Sequence, residues 1–465
     1  MIPRLLLPLA SCCCLYAATL APEQDQKLAH DIYKQLVAIQ SGYTTGSTTL
    51  VAEAIAARLR TAGFPAADIF TGGAAPNKFN IVVRYRGTGA RKPILLLAHE
   101  DVVEAKREDW TTDPFQFIEK DGYYYGRGTA DDKAQAAVWI ANLIRYKREG
   151  YKPDRDIIVA LTADEEGGGP YSGIQWLLKN HRELIDAEFC LNEGARVETV
   201  NGKYASNDLE VSEKWYVDFR LEVHNKGGHS SLPVPDNAIY HLAGALDRLA
   251  HFGFPLKTND VTKAYFAEMA KIETGPIKQD LAAIASGSLP ASQQAMERVA
   301  AVSPLWNSTL RTTCVATQIE GGHARNALPQ LAAANVNCRG LPEDSLDYIT
   351  ATLKKIVADD QVSIAVAGEA VRAPGSPMRP DILRAMNHVT DSLWPGLPIV
   401  PSQSTGATDG KYLRAAGIPT YGVQGFALDR DDTRMHGKDE RMPVKSFYEG
   451  QTFLYELVKD LAGPQ

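Results

Sequence analysis

The 465-residue chain has little cysteine, no dense run of lysine and arginine, no internal repeat and, past Leu20, no long apolar run. Each shortage excludes something. Without a basic tract interleaved with aromatics, and with a net charge of −7, the chain offers no nucleic-acid surface, so a small molecule or peptide is the expected ligand. Without repeats or low-complexity tracts it is neither a solenoid nor a disordered scaffold. Of its six cysteines, Cys12, Cys13 and Cys14 crowd the N-terminus, leaving Cys190, Cys314 and Cys338. These three are widely spaced and odd in number, which argues against a disulfide framework and reads as small buried hydrophobes.

The one sizeable apolar run, Leu5 to Leu20 behind Arg4, is too short and interrupted for a membrane span and suits a secretion leader over residues 1–21. Export, periplasmic or secreted, is therefore expected. Two processing routes stay open. Thr19 and Ala21 sit where a signal peptidase wants small residues, while Leu9-Ala10-Ser11-Cys12 resembles a bacterial lipobox. Membrane attachment follows only from lipidation at Cys12.

What is present is globular: 45% hydrophobic and 23% charged residues over a length that calls for two or three domains. Helical periodicity runs from Glu23 to Gln40 and from Ser47 to Ala62. Apolar strands at Phe79–Gly87, Pro93–His99, Asp156–Ala163 and Glu188–Asn192 then alternate with helices, predicting an α/β sheet buried on both faces. Near Val211 the texture changes. In WYVDFRLEV, Trp215, Val217, Phe219, Leu221 and Val223 alternate with polar residues, the mark of a strand buried on one face only. After Pro342 the helix and strand alternation resumes. The expected architecture is a catalytic α/β domain with a mixed sheet between helices, residues 22–210 and 342–465, interrupted by a smaller α+β domain over 211–341.

Chemistry-bearing residues gather at the ends of these elements. LLAHEDVVE (Leu96 to Glu104) places His99 and Asp101 two apart at the end of an apolar strand, as a metal ligand and its orienting carboxylate would be. YGRGTADDK (Tyr125 to Lys133) puts Asp131 and Asp132 at a helix start, where an aspartate also serves as a plain cap. LTADEEGGG (Leu161 to Gly169) leaves a buried strand with Asp164, Glu165 and Glu166 in a row, carboxylates that repel one another unless cations neutralise them. NEG (Asn192 to Gly194) adds Glu193, and MHGKDER (Met435 to Arg441) adds His436. The C-terminal edge of an α/β sheet is where such folds bind ligands.

These ordered motifs, HxDVV, GRGxxDDK, DEE, NEG and HGxDE, resemble the co-catalytic zinc hydrolase family that includes glutamate carboxypeptidase, aminoacylase, carboxypeptidase S and succinyl-diaminopimelate desuccinylase. The resemblance runs from about Gln26 to the last helix. It implies that His99 and Glu193 hold one zinc, Glu166 and His436 the other, and that Asp131 bridges them, with Co²⁺ or Mn²⁺ as possible substitutes. It implies Asp101 as the carboxylate behind His99, Glu165 as general base, and a cis peptide after Asp131. In the inserted domain, NKGGHSSLP matches the motif whose histidine, here His229, reaches the active site of a partner subunit, which implies a homodimer through this domain. GGHARNALP and NCRGLP supply Asn326 and Arg339 for the substrate's carbonyl and carboxylate, and STGATDG supplies a loop around Gly406 that faces the terminal carboxylate, with Asp409 structural. Glu100 departs from the usual residue inside HxD and, as the middle residue, is expected to point away from the metals.

The resulting expectation is an exported dinuclear zinc metallopeptidase of the carboxypeptidase type, hydrolysing an amide bond beside a free carboxylate. An N-acyl-amino-acid amidohydrolase is the alternative. A catalytically inactive binding module ranks behind both, because the base and all five ligand positions are present, and a metal-storage protein leaves His229 and Arg339 unexplained.

Overall fold

A computed structural model of the chain describes residues 19–288, 290–432 and 434–464. Most of the expected leader, Cys12 included, lies outside the described residues. Among the described residues no helix is long and apolar enough to cross a membrane.

The main body is a ten-stranded mixed sheet. Strand Ile94–His99 lies at its centre, parallel to Ile157–Thr162 on one side and to Phe189–Asn192 on the other. All six residues of Ile94–His99 and of Ile157–Thr162 are buried. Alternate residues divide between two layers, as a strand's period of two requires. Ile94, Leu96 and Ala98 face a large core that includes helices Glu23–Ala38, Lys133–Glu149 and Val444–Ala462. Leu95 and Leu97 face a second core with Ile174, Leu177 and Leu413. An apolar run with no polar alternation is thus a strand with a helix layer on each side. The parallel strands all end at one edge, and that edge carries the site.

The second sheet has four strands, in the order Thr313–Gly321, Leu331–Gly340, Trp215–His224, Ser363–Ala367. Its central strand shows the expected alternation: Trp215, Val217, Phe219, Leu221 and Val223 are buried under helix Ala238–Ala250, and the residues between them are more exposed. Two findings depart from the sequence expectation. First, this lid does not stop at Leu341. Ile349, Leu353 and Val357 of helix Leu346–Val357 join its core, and Ser363–Ala367 pairs with Trp215–His224. The return to helix and strand alternation after Pro342 hides the fact that the first pair still belongs to the lid. Second, Cys314 and Cys338 are not free hydrophobes. They are register partners on neighbouring antiparallel strands and form a disulfide, with Cα atoms 4.1 Å apart. Strand register, not sequence spacing, brings them together. Among the described residues Cys190 alone stays free, and it is buried.

Residues Asp260–Leu310 form four short helices with their own core, which also takes in Val400 of strand Ile399–Ser404 in the main sheet. Arg430 adds a bridge, pairing with Glu198 and with Glu273 at the end of the first of these helices. The insertion thereby props the lid against the main body.

Candidate metal centre

Five of the residues singled out in the sequence converge. His99 is the last residue of its strand and is buried. Its Nδ1 lies 3.0 Å from the main-chain oxygen of Asp101, an acceptor that calls for the proton on Nδ1 and leaves Nε2 bare. That Nε2 lies 2.9 Å from Asp131 Oδ1 and 3.8 Å from Glu193 Oε1. The other Asp131 oxygen lies 3.0 Å from His436 Nε2, which is also 3.1 Å from Glu166 Oε1. Asp131 therefore presents one oxygen to each of two histidine and glutamate pairs. The Asp131–Asp132 peptide is cis.

These groups fit dications better than they fit one another. Burial pushes the Glu193 carboxyl well above its ordinary value, and the charge of Asp131 adds to the effect. Burial does the same to Glu165, reinforced by Asp409 and Glu166. Hydrogen bonding to Asp131, then to Glu166, lifts His436 to about 10. Glu166 Oε1 has no aligned hydrogen-bond donor despite its position beside His436. Imidazole and carboxylate donors around a shared aspartate, with the carboxylates crowded and short of donors, make a site for two hard-to-borderline cations. Two overlapping sets bring their ligand atoms within 4.8 Å: His99 with Asp131 and Glu166, and His99 with Asp132 and Glu193. Asp132 was read from the sequence only as a helix-start residue. Its buried carboxylate accepts from Gln424 at 3.3 Å through one oxygen and leaves the other without a partner.

Asp101 does more than stand behind His99. Its carboxylate is 3.8 Å from His99 Nδ1 and accepts the main-chain N–H groups of Glu165 and Glu166 at 3.1 and 3.0 Å. It thus fixes the turn that carries the proposed base and a proposed ligand. Lys78 grips the same turn from the other side through a buried ion pair with Asp164 at 2.6 Å. That pair holds Asp164 at φ +62°, a left-handed value that costs a non-glycine residue energy. Asp409, read as structural, accepts the Thr162 hydroxyl at 2.7 Å beneath this turn. Glu100 is fully buried, and its carboxylate has no hydrogen-bond partner.

A second clamp was missed in the sequence. Glu440 accepts the N–H groups of Ala130 and Asp131 through Oε1, at 2.6 and 3.1 Å, and that of Gly128 through Oε2 at 3.1 Å. Arg127 pairs with Glu440 at 2.6 Å and donates to the carbonyls of His436 and Gly437. One buried ion pair therefore locks the turn bearing Asp131 to the turn bearing His436. Both residues stand inside motifs already noticed, GRG and HGxDE, and their polar identity in otherwise glycine-rich turns is the signal that marks them.

Glu165, Glu166 and His436 open into a cleft of about 490 Å³ between the main body and the lid. Arg339 lines the same cleft from the lid, with its guanidinium 4.8 Å from the centre of the Tyr216 ring. Ala407, next to Gly406, lines the opposite side. His229 and Asn326 do not reach it. They stand together at the small two-stranded ribbon of Gly228–His229 and Ala327–Leu328, where Ser230 N–H donates to the Asn326 carbonyl at 3.0 Å. Both are exposed, and among the described residues the His229 side chain is hydrogen-bonded only to Ser231.

Comparison with known proteins agrees with this geometry. Human N-fatty-acyl-amino acid synthase/hydrolase PM20D1 is 30% identical over 380 residues, covering 79% of this chain and 74% of that protein. Probable carboxypeptidase S-like 2 of Dictyostelium discoideum is 28% identical over 394 residues, covering 82% and 74%. The crystal structure of the M20 family metallo-carboxypeptidase Sso-CP2 from Sulfolobus solfataricus shares the fold, with a TM-score of 0.70 at 16% identity over 93% of this chain and 98% of that one. Residues 95–460 match the description Peptidase family M20/M25/M40, a span that includes every proposed metal ligand. The chain belongs to this family and is a hydrolase of its peptidase and amidohydrolase kind.

Proposed function

We propose that the chain is a dinuclear zinc carboxypeptidase that hydrolyses the amide bond next to a substrate's free carboxylate. The observation that carries this reading is Arg339. It lines the cleft of Glu165, Glu166 and His436, and among the described residues it makes no ion pair or side-chain hydrogen bond. Burial lowers its pKa against the opposing effects of Tyr216 and Asp218, and its N–H donors stay open to an anion. A planar carboxylate is the natural guest for a guanidinium fork.

His99 and Glu193 would hold one ion, Glu166 and His436 the other, with Asp131 between them. Two such ions supply a water of lowered pKa and a polarised carbonyl. Glu165, in the cleft beside Glu166, takes the attacking water's proton and passes it to the departing nitrogen. Its raised pKa suits a group that must hold the proton between those two transfers. Arg339 would fix the carboxylate end, with the neighbouring amide held in the cleft that Glu165 also lines.

Exposure of His229 and Asn326 supports a homodimer in which these two residues complete the partner's cleft. The same domain exposes large apolar side chains: Leu232, Tyr240 and Ile319 are 72%, 68% and 69% exposed, and Val315 lies on the unpaired edge strand Thr313–Gly321. Such a patch on a lone chain is the kind that a second copy covers. Export fits the Cys314–Cys338 disulfide, a bond that persists in oxidising compartments. Signal cleavage and lipid attachment at Cys12 both remain compatible with it.

One observation favours the second reading, an N-acyl-amino-acid amidohydrolase: the human relative carries N-fatty-acyl-amino acid synthase/hydrolase in its name. The test is amino-acid release from blocked dipeptides, N-acetyl amino acids and long-chain N-acyl amino acids by the zinc-loaded protein. Faster release from dipeptides supports the carboxypeptidase, and faster release from acyl amino acids the alternative. Absence of metal-dependent cleavage in all three sets overturns both.

A further inference from the structure

The cleft contains a second cation that the proposed reaction does not use. Lys411 enters from the main body, on helix Gly410–Ala415, and faces Arg339 on the lid across the same 490 Å³ of space. The two are built alike. Arg339 lies over the Tyr216 ring at 4.8 Å, and Lys411 lies over the Tyr412 ring at 4.8 Å. Both rings line the cleft. Among the described residues neither cation has an ion pair or a side-chain hydrogen bond. An aromatic face holds a cation in place without consuming its N–H donors.

The acids of the cleft, by contrast, are engaged. Asp218 accepts from Tyr216 and, at 2.9 Å each, from Asn335 and Asn337. Glu369 accepts from Gln175 at 3.0 Å. Glu165 and Glu166 belong to the metal centre. Such engagement does not cancel the charge of these acids, and Asp218 also acts on Arg339, but their oxygens are committed to neighbours, whereas the N–H donors of Arg339 and Lys411 are uncommitted among the described residues.

We propose that the substrate is a dicarboxylate, with its free α-carboxylate on Arg339 and a second carboxylate on Lys411. This rests on the reading of Arg339 given above. The second carboxylate belongs either to the side chain of the released amino acid or to the acyl group, and a cleft of this volume holds both ends of either. Few apolar walls compete, since Ala367, Val371 and Ala407 are the aliphatic side chains that line it.

The test compares kcat/KM of the zinc-loaded enzyme for N-acetyl-glutamate, N-acetyl-glutamine, N-acetyl-leucine and N-succinyl-leucine. A preference of about tenfold or more for glutamate over glutamine places the second carboxylate on the amino acid, and the same preference for succinyl-leucine over acetyl-leucine places it on the acyl group. Lys411→Met should collapse the preference, and Lys411→Glu should turn it toward N-acetyl-lysine. Wild-type enzyme with neither preference, or a preference that Lys411→Met leaves intact, overturns the proposal. Calorimetric binding of free glutamate and of succinate, each against its uncharged amide, to the same protein and its Lys411→Met variant needs no turnover. If no substrate is cleaved but a Lys411-dependent preference for the acid remains, the proposed reaction fails and the dicarboxylate site stands. If binding shows no such preference, the site fails with it.

Discussion

The two sheets display their functional groups in opposite ways. In the main sheet the strands that end in His99, Thr162 and Asn192 are buried at every residue, so the groups at their tips are anchored by two apolar layers. The lid strand that carries Arg339 alternates buried and half-buried residues from Ala334 to Gly340, and the two-stranded ribbon beside His229 and Asn326 has both of these residues open to solvent. The difference teaches a division of labour. One chain folds its proposed metal ligands into place by itself, whereas the lid holds its side chains outward, where the proposed substrate and second copy would meet them. The following experiments sharpen or break that contrast.

The largest effect belongs to the self-contained half. Glu165→Gln should lower kcat between about a hundredfold and about ten-thousandfold while zinc content by atomic absorption stays near that of the wild type. Equal turnover would remove Glu165 from the chemistry. Next comes the half that looks outward. Mixing inactive Glu165→Gln and His229→Ala proteins and letting subunits exchange should restore about a quarter of wild-type activity, because mixed dimers hold one site with both groups intact. A mixture that stays as inactive as its components would place His229 in its own chain's site or outside the reaction.

Glu440→Gln tests how far the anchoring extends beyond the ligands. It breaks the buried pair with Arg127 yet leaves all five proposed ligands in place, and zinc affinity measured by competition with a chelator should fall about 10–100-fold. Unchanged affinity would show that the strand ends suffice. Cys314→Ser should cost about 2–4 kcal/mol of lid stability in denaturant titration, with zinc content retained, since the bridge joins two lid strands and touches no ligand. Loss of zinc together with lid stability would mean that the two halves do not fold independently.

The smallest effect is a pH dependence at the edge of the anchored half. Burial alone would raise the Glu104 carboxyl, but hydrogen bonds from Thr44 and Thr45 hold it below its ordinary value. A lowered acid stabilises the fold fully above its unfolded value of about 4.5, and that contribution is lost as the pH falls through the native value. Glu104→Gln should therefore lower Tm slightly at pH 7 and leave it unchanged at pH 3. A difference that persists at pH 3 would assign the effect to shape and not to charge.

Most of the anchored half was legible in the sequence. The apolar runs before His99 and Asp164 announce buried strands, and the residues just beyond them are polar types that a core does not need. Glu193 and His436 were recognisable only as members of an ordered set of motifs, because nothing local distinguishes them. What the sequence hid is contact between distant segments. Arg127 and Glu440 stand 313 positions apart. The N–H groups that Asp101 accepts belong to a turn 64 and 65 residues further on. The disulfide depends on the register of two strands, and the lid's last helix and strand look locally like any others. Composition and periodicity report what each segment buries, but not which segment it meets.

The Arg127–Glu440 pair also sets an order of events in time. A nascent chain synthesised only as far as Glu193 already contains His99, Asp131, Glu166 and Glu193, but nothing yet closes the turn around Asp131. That closure waits for Glu440, 313 residues after Arg127, which arrives together with His436. Assembly of the proposed two-ion centre is thereby tied to synthesis beyond Glu440, so a product that stops before it lacks the clamp on Asp131.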